Sequence, residues 1–114
     1  MGRMRRTPFR SDADDPVQTL LDLPFRRGAA LRAGSVRLSP GQRVPAEGLS
    51  RHGVDEVSLI TAGSLRGESG DEAFEAAAGE VTWIPAGEAH WAVAGDEGAE
   101  IFWIWFGDVG AEAG

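Results

Sequence analysis

The chain has 114 residues, of which 18 are acidic and 11 basic, and its formal net charge is -7. This length is enough for one domain with a modest core, and the negative charge argues against a nucleic-acid partner or an anionic membrane surface. The sequence contains no cysteine, which excludes disulfides, a thiolate nucleophile and an iron–sulfur cluster.

The ends of the chain are predicted to be tails around a barrel that covers residues 16–108. Residues 1–15 begin rich in arginine and end in Ser-Asp-Ala-Asp-Asp, with almost nothing apolar to bury, which predicts a mobile segment; residues 109–114 form the second tail. No apolar stretch follows the first basic residues, so a signal peptide is not predicted. The longest apolar run, residues 101–106, is far too short to span a bilayer. We therefore expect a soluble cytoplasmic protein.

Short apolar runs separated by glycine and proline predict an all-β chain. The sequence has 16 glycines and 6 prolines, and no long stretch has the periodicity of an amphipathic helix. Apolar residues occupy odd positions before Gly34 and even positions after it, and this change predicts a bulge or a break between two strands. Strands are predicted over residues 17–23, 28–39, 54–62, 64–68, 81–84, 90–94 and 99–106, with another around Phe74, a short strand or loop over 42–49 and a polar turn at 95–98.

Both faces of the last predicted strand are apolar. Alternation places one set on each face, namely Ile101, Trp103 and Trp105 against Phe102, Ile104 and Phe106. Such a strand must be covered on both sides. The barrel interior would cover one face, and either an N-terminal segment of the same chain or a second subunit would cover the other. Because the patch is larger than monomers usually expose, we expect a homodimer.

Two short motifs carry the candidate site. Residues 79–90 read Gly-Glu-Val-Thr-Trp-Ile-Pro-Ala-Gly-Glu-Ala-His, so that a strand enters a Pro-x-Gly turn and the turn places His90 at the start of the next strand. Residues 50–63 read Ser-Arg-His-Gly-Val-Asp-Glu-Val-Ser-Leu-Ile-Thr-Ala-Gly. Ser50, His52 and Glu56 are separated by even numbers of residues, so they share one face if the strand is regular. The chain has no histidine besides these two.

This pair of motifs resembles the two signatures of the cupin superfamily. The second signature matches through His90, with Ala94 in place of a final asparagine, and the first matches at His52, Glu56 and Gly63. The first signature is degenerate, because a serine takes the place of its first histidine and its leading glycine lies too far away. The resemblance covers residues 36–106 and implies a single-domain, RmlC-like cupin with the double-stranded β-helix, or jelly-roll, barrel.

The resemblance also implies a site inside the barrel. Two imidazoles and a carboxylate, from His52, Glu56 and His90, match the open sites that bind non-haem iron or zinc, so these residues are the expected metal ligands and catalytic groups. The metal itself is expected to be Fe, Mn, Ni or Zn. Since a serine hydroxyl is a poor ligand, the position of Ser50 is expected to hold water, with Glu47 as a substitute carboxylate.

Three functions are compatible with such a site. The first, which we expect, is a metal-dependent enzyme of dioxygenase, isomerase, cyclase or lyase type that acts on a small organic molecule. The second is a metal-free ligand-binding or sensor cupin, although no helix-turn-helix pattern accompanies the barrel. The third is a metal-free lyase or dehydratase that uses His52 or His90 as an acid or base. The expected substrate pocket is lined by Ser50, Trp83 and Ala92.

Overall fold

The computed structural model describes residues 7–26 and 29–107, and within these ranges the chain is built from strands, turns and extended segments without a helix. The strands are β1 (Val17–Arg26), β2 (Ala29–Leu38), β3 (Arg43–Val44), β4 (Asp55–Ser69), β5 (Glu72–Ala77), β6 (Val81–Ile84) and β7 (His90–Gly107). The prediction of an all-β chain is therefore confirmed. The tail predicted at 109–114 lies outside the described residues. No helix in the described part of the chain is long and apolar enough to cross a membrane.

Two long strands, β4 and β7, are shared by both halves of the barrel. All pairings are antiparallel, in the order β1-β2-β7-β4-β5, with β3 added to β7 and β6 added to β4. The N-terminal part of β4 and the C-terminal part of β7 lie in one half with β1, β2 and β6. Their other ends lie in the second half with β3 and β5. Each long strand thus passes from one half to the other.

Glycines allow these strands to bend. Gly63 pairs with Ala99, and both Gly63 and Gly98 have a positive φ, which other residues rarely adopt. A Cβ at Gly63 would lie 2.0 Å from the carbonyl oxygen of Gly98, so only glycine permits this close approach. The predicted turn at 95–98 is therefore wrong, because β7 continues through it as one bent strand. For the same reason the predicted strands 54–62 and 64–68 are one strand, β4.

The irregularity predicted near Gly34 lies in the neighbouring strand. Thr19 pairs with Gly34 and Leu21 pairs with Ala33, so Leu20 is an extra residue in β1. On its other side β2 pairs with β7 without interruption. The bulge therefore belongs to β1, and the inward and outward positions of β2 and β7 stay in register.

Alternation along β4 and β7 decides which side chains enter the barrel. Ile60, which is fully buried, packs in a core with Ile101, Leu38 and small side chains from β5 and β7. Because the side-chain period of a strand is two residues, Glu56 and Ser58 point the same way as Ile60. On β7, Trp103 and Trp105 likewise share the inward face with Ile101. The candidate site is therefore built beside this core, on the same faces of the same strands.

The N-terminal segment covers part of the outer face of β7. The ring of Phe9 lies 6.3 Å from that of Phe102, and the Ser35 hydroxyl donates a hydrogen bond to the carbonyl oxygen of Arg10. The sequence analysis expected this face to be covered either by an N-terminal segment of the same chain or by a second subunit, and the first of these is present. Phe106, at the end of the same face, is 43% exposed. The homodimer and the mobility of residues 1–15 both stay predictions.

Candidate functional site

Backbone hydrogen bonds hold the loop before β4 against the start of β7. Ser50 and His90 exchange two backbone hydrogen bonds of 2.8 Å, and the backbone N–H of Gly87 donates to the carbonyl oxygen of His52 at 2.7 Å. His52 thus lies in a loop and not in the regular strand that its spacing suggested, whereas Glu56 lies in β4. The loop is nevertheless fixed, because three hydrogen bonds tie it to the Pro-x-Gly turn and to β7.

His52, Glu56 and His90 come together, as the sequence predicted. One ligand atom of each lies within 4.8 Å of the other two, and Nε2 of His52 lies 3.6 Å from Oε1 of Glu56. The two imidazole rings are 5.2 Å apart. All three side chains are partly buried. We call this cluster the triad.

Neighbouring groups orient two members of the triad. Nδ1 of His90 lies 3.0 Å from the carbonyl oxygen of Glu88. Since a carbonyl only accepts, Nδ1 carries a proton, and Nε2 is the nitrogen whose lone pair the neutral imidazole offers to a metal. The indole Nε1 of Trp105 donates a 2.8 Å hydrogen bond to Oε1 of Glu56, and its ring lies 4.3 Å from the ring of His52. Such outer contacts are typical of groups that hold metal ligands in place.

The donor set fits a divalent transition metal. Two imidazoles and one carboxylate are the set found in open zinc sites and in non-haem iron sites. Ligands bound at about 2.0–2.2 Å lie roughly 3.0–3.4 Å apart in tetrahedral or octahedral geometry, and the 3.6 Å between His52 and Glu56 is close to this range. Ser50 lines the cavity beside the triad. Glu47 is exposed and does not line it, so the structure does not bring this carboxylate to the site.

A cavity of about 230 Å³ opens next to the triad. Most of its wall is apolar, and three indoles contribute to it, those of Trp91, Trp103 and Trp105. Of the predicted pocket residues, Ser50 and Ala92 line the cavity. Trp83 does not line it, so the predicted place of Trp83 in the pocket is wrong. The inward positions of β6 belong to Thr82 and Ile84, so Trp83 points outward, is 63% exposed, and donates a hydrogen bond to Asp55.

Sequence reasoning did not assign Trp103, Trp105 or Ser58 to the site. The even spacing of Trp103 and Trp105 placed them on one face, but that face could not be told from the opposite one, which is equally apolar. The contact of Trp105 with Glu56 joins residues 49 positions apart. Only the pairing of β4 with β7, which sets Glu56 opposite Trp105, brings them together.

Comparison with known proteins places the chain in a family. Residues 40–109, more than half of the sequence, match the AraC-like ligand binding domain. The chain belongs to this family. No functionally curated protein matches this AraC-like domain.

Solved structures show the same fold. An RmlC-like cupin from Shewanella frigidimarina is 15% identical, with 90% of this chain and 94% of that chain aligned at a TM-score of 0.59. A cupin 2 conserved barrel domain protein from Salinispora arenicola is 22% identical, with coverages of 91% and 89% and a TM-score of 0.61. An oxalate decarboxylase variant from B. subtilis is 20% identical, and 95% of this domain aligns with 31% of that chain at 0.62. The AraC-like domain therefore has the fold of these cupins, and the predicted jelly-roll barrel is confirmed.

Proposed function

We propose that this cupin is a divalent-metal-dependent enzyme that transforms a small organic molecule inside the barrel. The observation that carries the proposal is the convergence of His52, Glu56 and His90, from a loop and two strands, on the wall of a largely apolar cavity. The reaction is of dioxygenase, isomerase, cyclase or lyase type. In its metal-dependent form, each of these uses an open metal position next to a pocket that limits the access of water.

The residues of the triad have separate tasks in this proposal. His90 presents Nε2 because its Nδ1–H donates a hydrogen bond to the backbone carbonyl of Glu88. Glu56 keeps its orientation because the indole of Trp105 donates to one of its oxygens. A bound metal would supply a Lewis acid with positions left for the substrate. The apolar wall strengthens electrostatic interactions at the site by excluding water.

Metal analysis of variants tests the proposal. Protein purified without added metal is expected to contain close to one equivalent of a transition metal per chain, measured by mass spectrometry. His90→Ala and Glu56→Gln each remove a donor and are expected to lose most of it. The matched control is Glu68→Gln. Glu68 is an exposed carboxylate on β4, the strand of Glu56, and like Glu56 it accepts a hydrogen bond from an indole, that of Trp91. A metal-free wild type that is not stabilised by Mn, Fe, Ni or Zn contradicts the proposal.

A second function, ligand sensing without turnover, is supported by the family match. The matching family is described as a ligand binding domain, and the cavity suits a small ligand with or without a metal. Thermal-shift screening of small organic molecules, followed by mass spectrometry of the bound compound, separates the two functions. A ligand recovered unchanged from metal-loaded protein under air supports the sensor, and a converted ligand supports the enzyme.

A further inference from the structure

The inward side chains of the barrel form layers that start at the triad. Glu56 pairs with Trp105 on one side and with Ile84 on the other. Two residues further along β4, Ser58 pairs in the same way with Trp103 and with Thr82. The next inward residue of β4 is Ile60, which is fully buried. The second layer therefore lies between the triad and the core.

The second layer brings two hydroxyl groups together. Ser58 and Thr82 lie opposite each other on β4 and β6, where Cβ atoms are about 4.5–5.5 Å apart, and both line the cavity. Ser58 is only 6% exposed. A hydroxyl donates one hydrogen bond and accepts others, so the pair can bond an oxygen of a molecule held in the cavity.

We propose that Ser58 and Thr82 form a recognition site for an oxygen of the substrate, opposite the end that faces the metal. This inference rests on the proposed metal-dependent function and specifies its substrate class. Two residues of a strand span about 6.6 Å, so the layer of the two hydroxyls lies about that far along β4 from the layer of Glu56. A single six-membered ring with one substituent atom at each end fits between the two layers. The substrate then carries one oxygen group for the metal and a second, hydroxyl or carbonyl, for the Ser58–Thr82 pair.

The size and charge of the cavity narrow this class further. A cavity of about 150 Å³ accommodates benzene, so 230 Å³ accommodates a single ring with a few substituent atoms. No lysine or arginine lines the cavity among the described residues. A second anionic group would therefore be buried without a counter-ion, which is strongly unfavourable. The substrate is a compact, mostly apolar ring with a neutral oxygen at the end that reaches Ser58.

Two probes of the same shape test the hydroxyl pair. 4-Hydroxybenzoate and 4-methylbenzoate differ in one group, which the site should distinguish because a pocket built to bond a hydroxyl rejects the analogue without it. Their affinities are measured by titration calorimetry on Zn²⁺-loaded wild type, Ser58→Ala, Thr82→Val and the double variant. Ser64→Ala, a serine on β4 that does not line the cavity, is the control. Phenol and toluene are compared in the same way on metal-stripped protein.

We expect wild type and Ser64→Ala to prefer each hydroxyl probe about tenfold, the effect of one or two hydrogen bonds. The double variant is expected to bind both probes of each pair equally, and each single variant to be intermediate. The visible spectrum of protein incubated with Co²⁺ shows separately whether the triad binds a metal. If the phenol preference depends on Ser58 and Thr82 while no metal binds, the hydroxyl site stands and the metal-dependent function falls. No hydroxyl preference in wild type, or an equal preference in the double variant, overturns the inference.

Discussion

Trp105 and Glu56 face each other across β7 and β4, and the indole Nε1 donates a 2.8 Å hydrogen bond to Oε1 of the carboxylate. The same indole packs against His52, with ring centroids 4.3 Å apart. One side chain thus restrains two members of the triad. The contact also holds Oε1 of Glu56 on the side of the carboxylate that faces Nε2 of His52, 3.6 Å away.

Trp105→Phe removes the donor and keeps an aromatic ring beside His52. If the triad binds a metal, we expect the variant to bind it about 10- to 100-fold more weakly, the usual cost of losing an outer-shell partner. The measurement is a competition with a chelator of known affinity. Trp83→Phe is the control, because that indole also bonds a carboxylate, Asp55, but lies outside the cavity. Equal affinities in wild type and Trp105→Phe would show that the contact does not support the metal.

Ser50→His restores the first histidine of the first cupin signature, whose place Ser50 takes in this chain. Ser50 lines the cavity, and its backbone is bonded to that of His90 at 2.8 Å in both directions, so a new imidazole would start next to the triad. We expect Co²⁺ or Zn²⁺ affinity to rise at least about tenfold, which corresponds to about 1.4 kcal/mol. The same competition assay measures it, with Ser64→His as a control outside the cavity. An unchanged or lower affinity would mean that the added imidazole does not reach the metal.

The sequence predicted the triad because its signals are local. Pro85 and Gly87 define the turn that delivers His90, and Gly87 has the positive φ that this turn needs. His52 and Glu56 are close in sequence, so little structure is required to bring them together. Sequence reasoning could therefore identify the polar centre of the site without knowing the strand pairing.

The rest of the pocket depends on strand pairing, which the sequence does not encode locally. Both faces of residues 101–106 are apolar, so alternation could not say that Trp105 points inward. Trp83 looked equally suitable, yet Thr82 holds the inward position of β6. The polar, glycine-rich residues 95–98 are typical of a turn, and their glycines instead allow β7 to bend opposite Gly63.

Gly34 is expected to tolerate no side chain. A Cβ there would lie 1.9 Å from the carbonyl oxygen of Gln18 and 2.4 Å from Cζ2 of Trp103. Because the first of these is backbone in the paired strand β1, relief requires the strands to shift. Gly34→Ala should lower the free energy of unfolding by about 1–3 kcal/mol or more, as overpacking does, measured by urea denaturation. It should also displace the cavity residue Trp103, which near-ultraviolet circular dichroism detects. If Gly34→Ala is as stable as wild type, this packing around Gly34 is contradicted.

The sequence predicted a homodimer from the outer face of β7, and we expect the contact to include the adjoining outer face of β4 and β6, because Leu59 pairs with Phe102. Leu59, Val81 and Trp83 are 38%, 65% and 63% exposed, and pairing of Leu59 with Val81 makes the patch continuous. Light scattering after size exclusion should give twice the chain mass for wild type and the mass of one chain for Trp83→Glu. Glu75→Lys, an exposed change on β5, is the control. A monomeric wild type at high concentration would exclude the dimer.

Glu100 should make stability depend on pH through the contact that holds the N-terminal segment. The hydrogen bond from the Ser11 hydroxyl is the largest cause that lowers the pKa of this carboxyl. Burial, the next largest, opposes it, and the Thr61 hydroxyl and the Arg37 guanidinium lower the pKa further. A lowered folded-state pKa contributes stability that is fully present above the unfolded pKa of about 4.5 and is lost as the pH falls through the folded value.

The stability difference between wild type and Glu100→Gln measures this contribution. We expect wild type to be more stable at pH 7, and the difference to shrink steadily as the pH falls from about 5 to 3. Urea denaturation at each pH gives the free energies of unfolding. Glu97→Gln, which removes an exposed carboxylate from the same strand, controls for the loss of one negative charge. If the difference stays constant down to pH 3, the interactions with Ser11, Thr61 and Arg37 do not favour the charged form of Glu100.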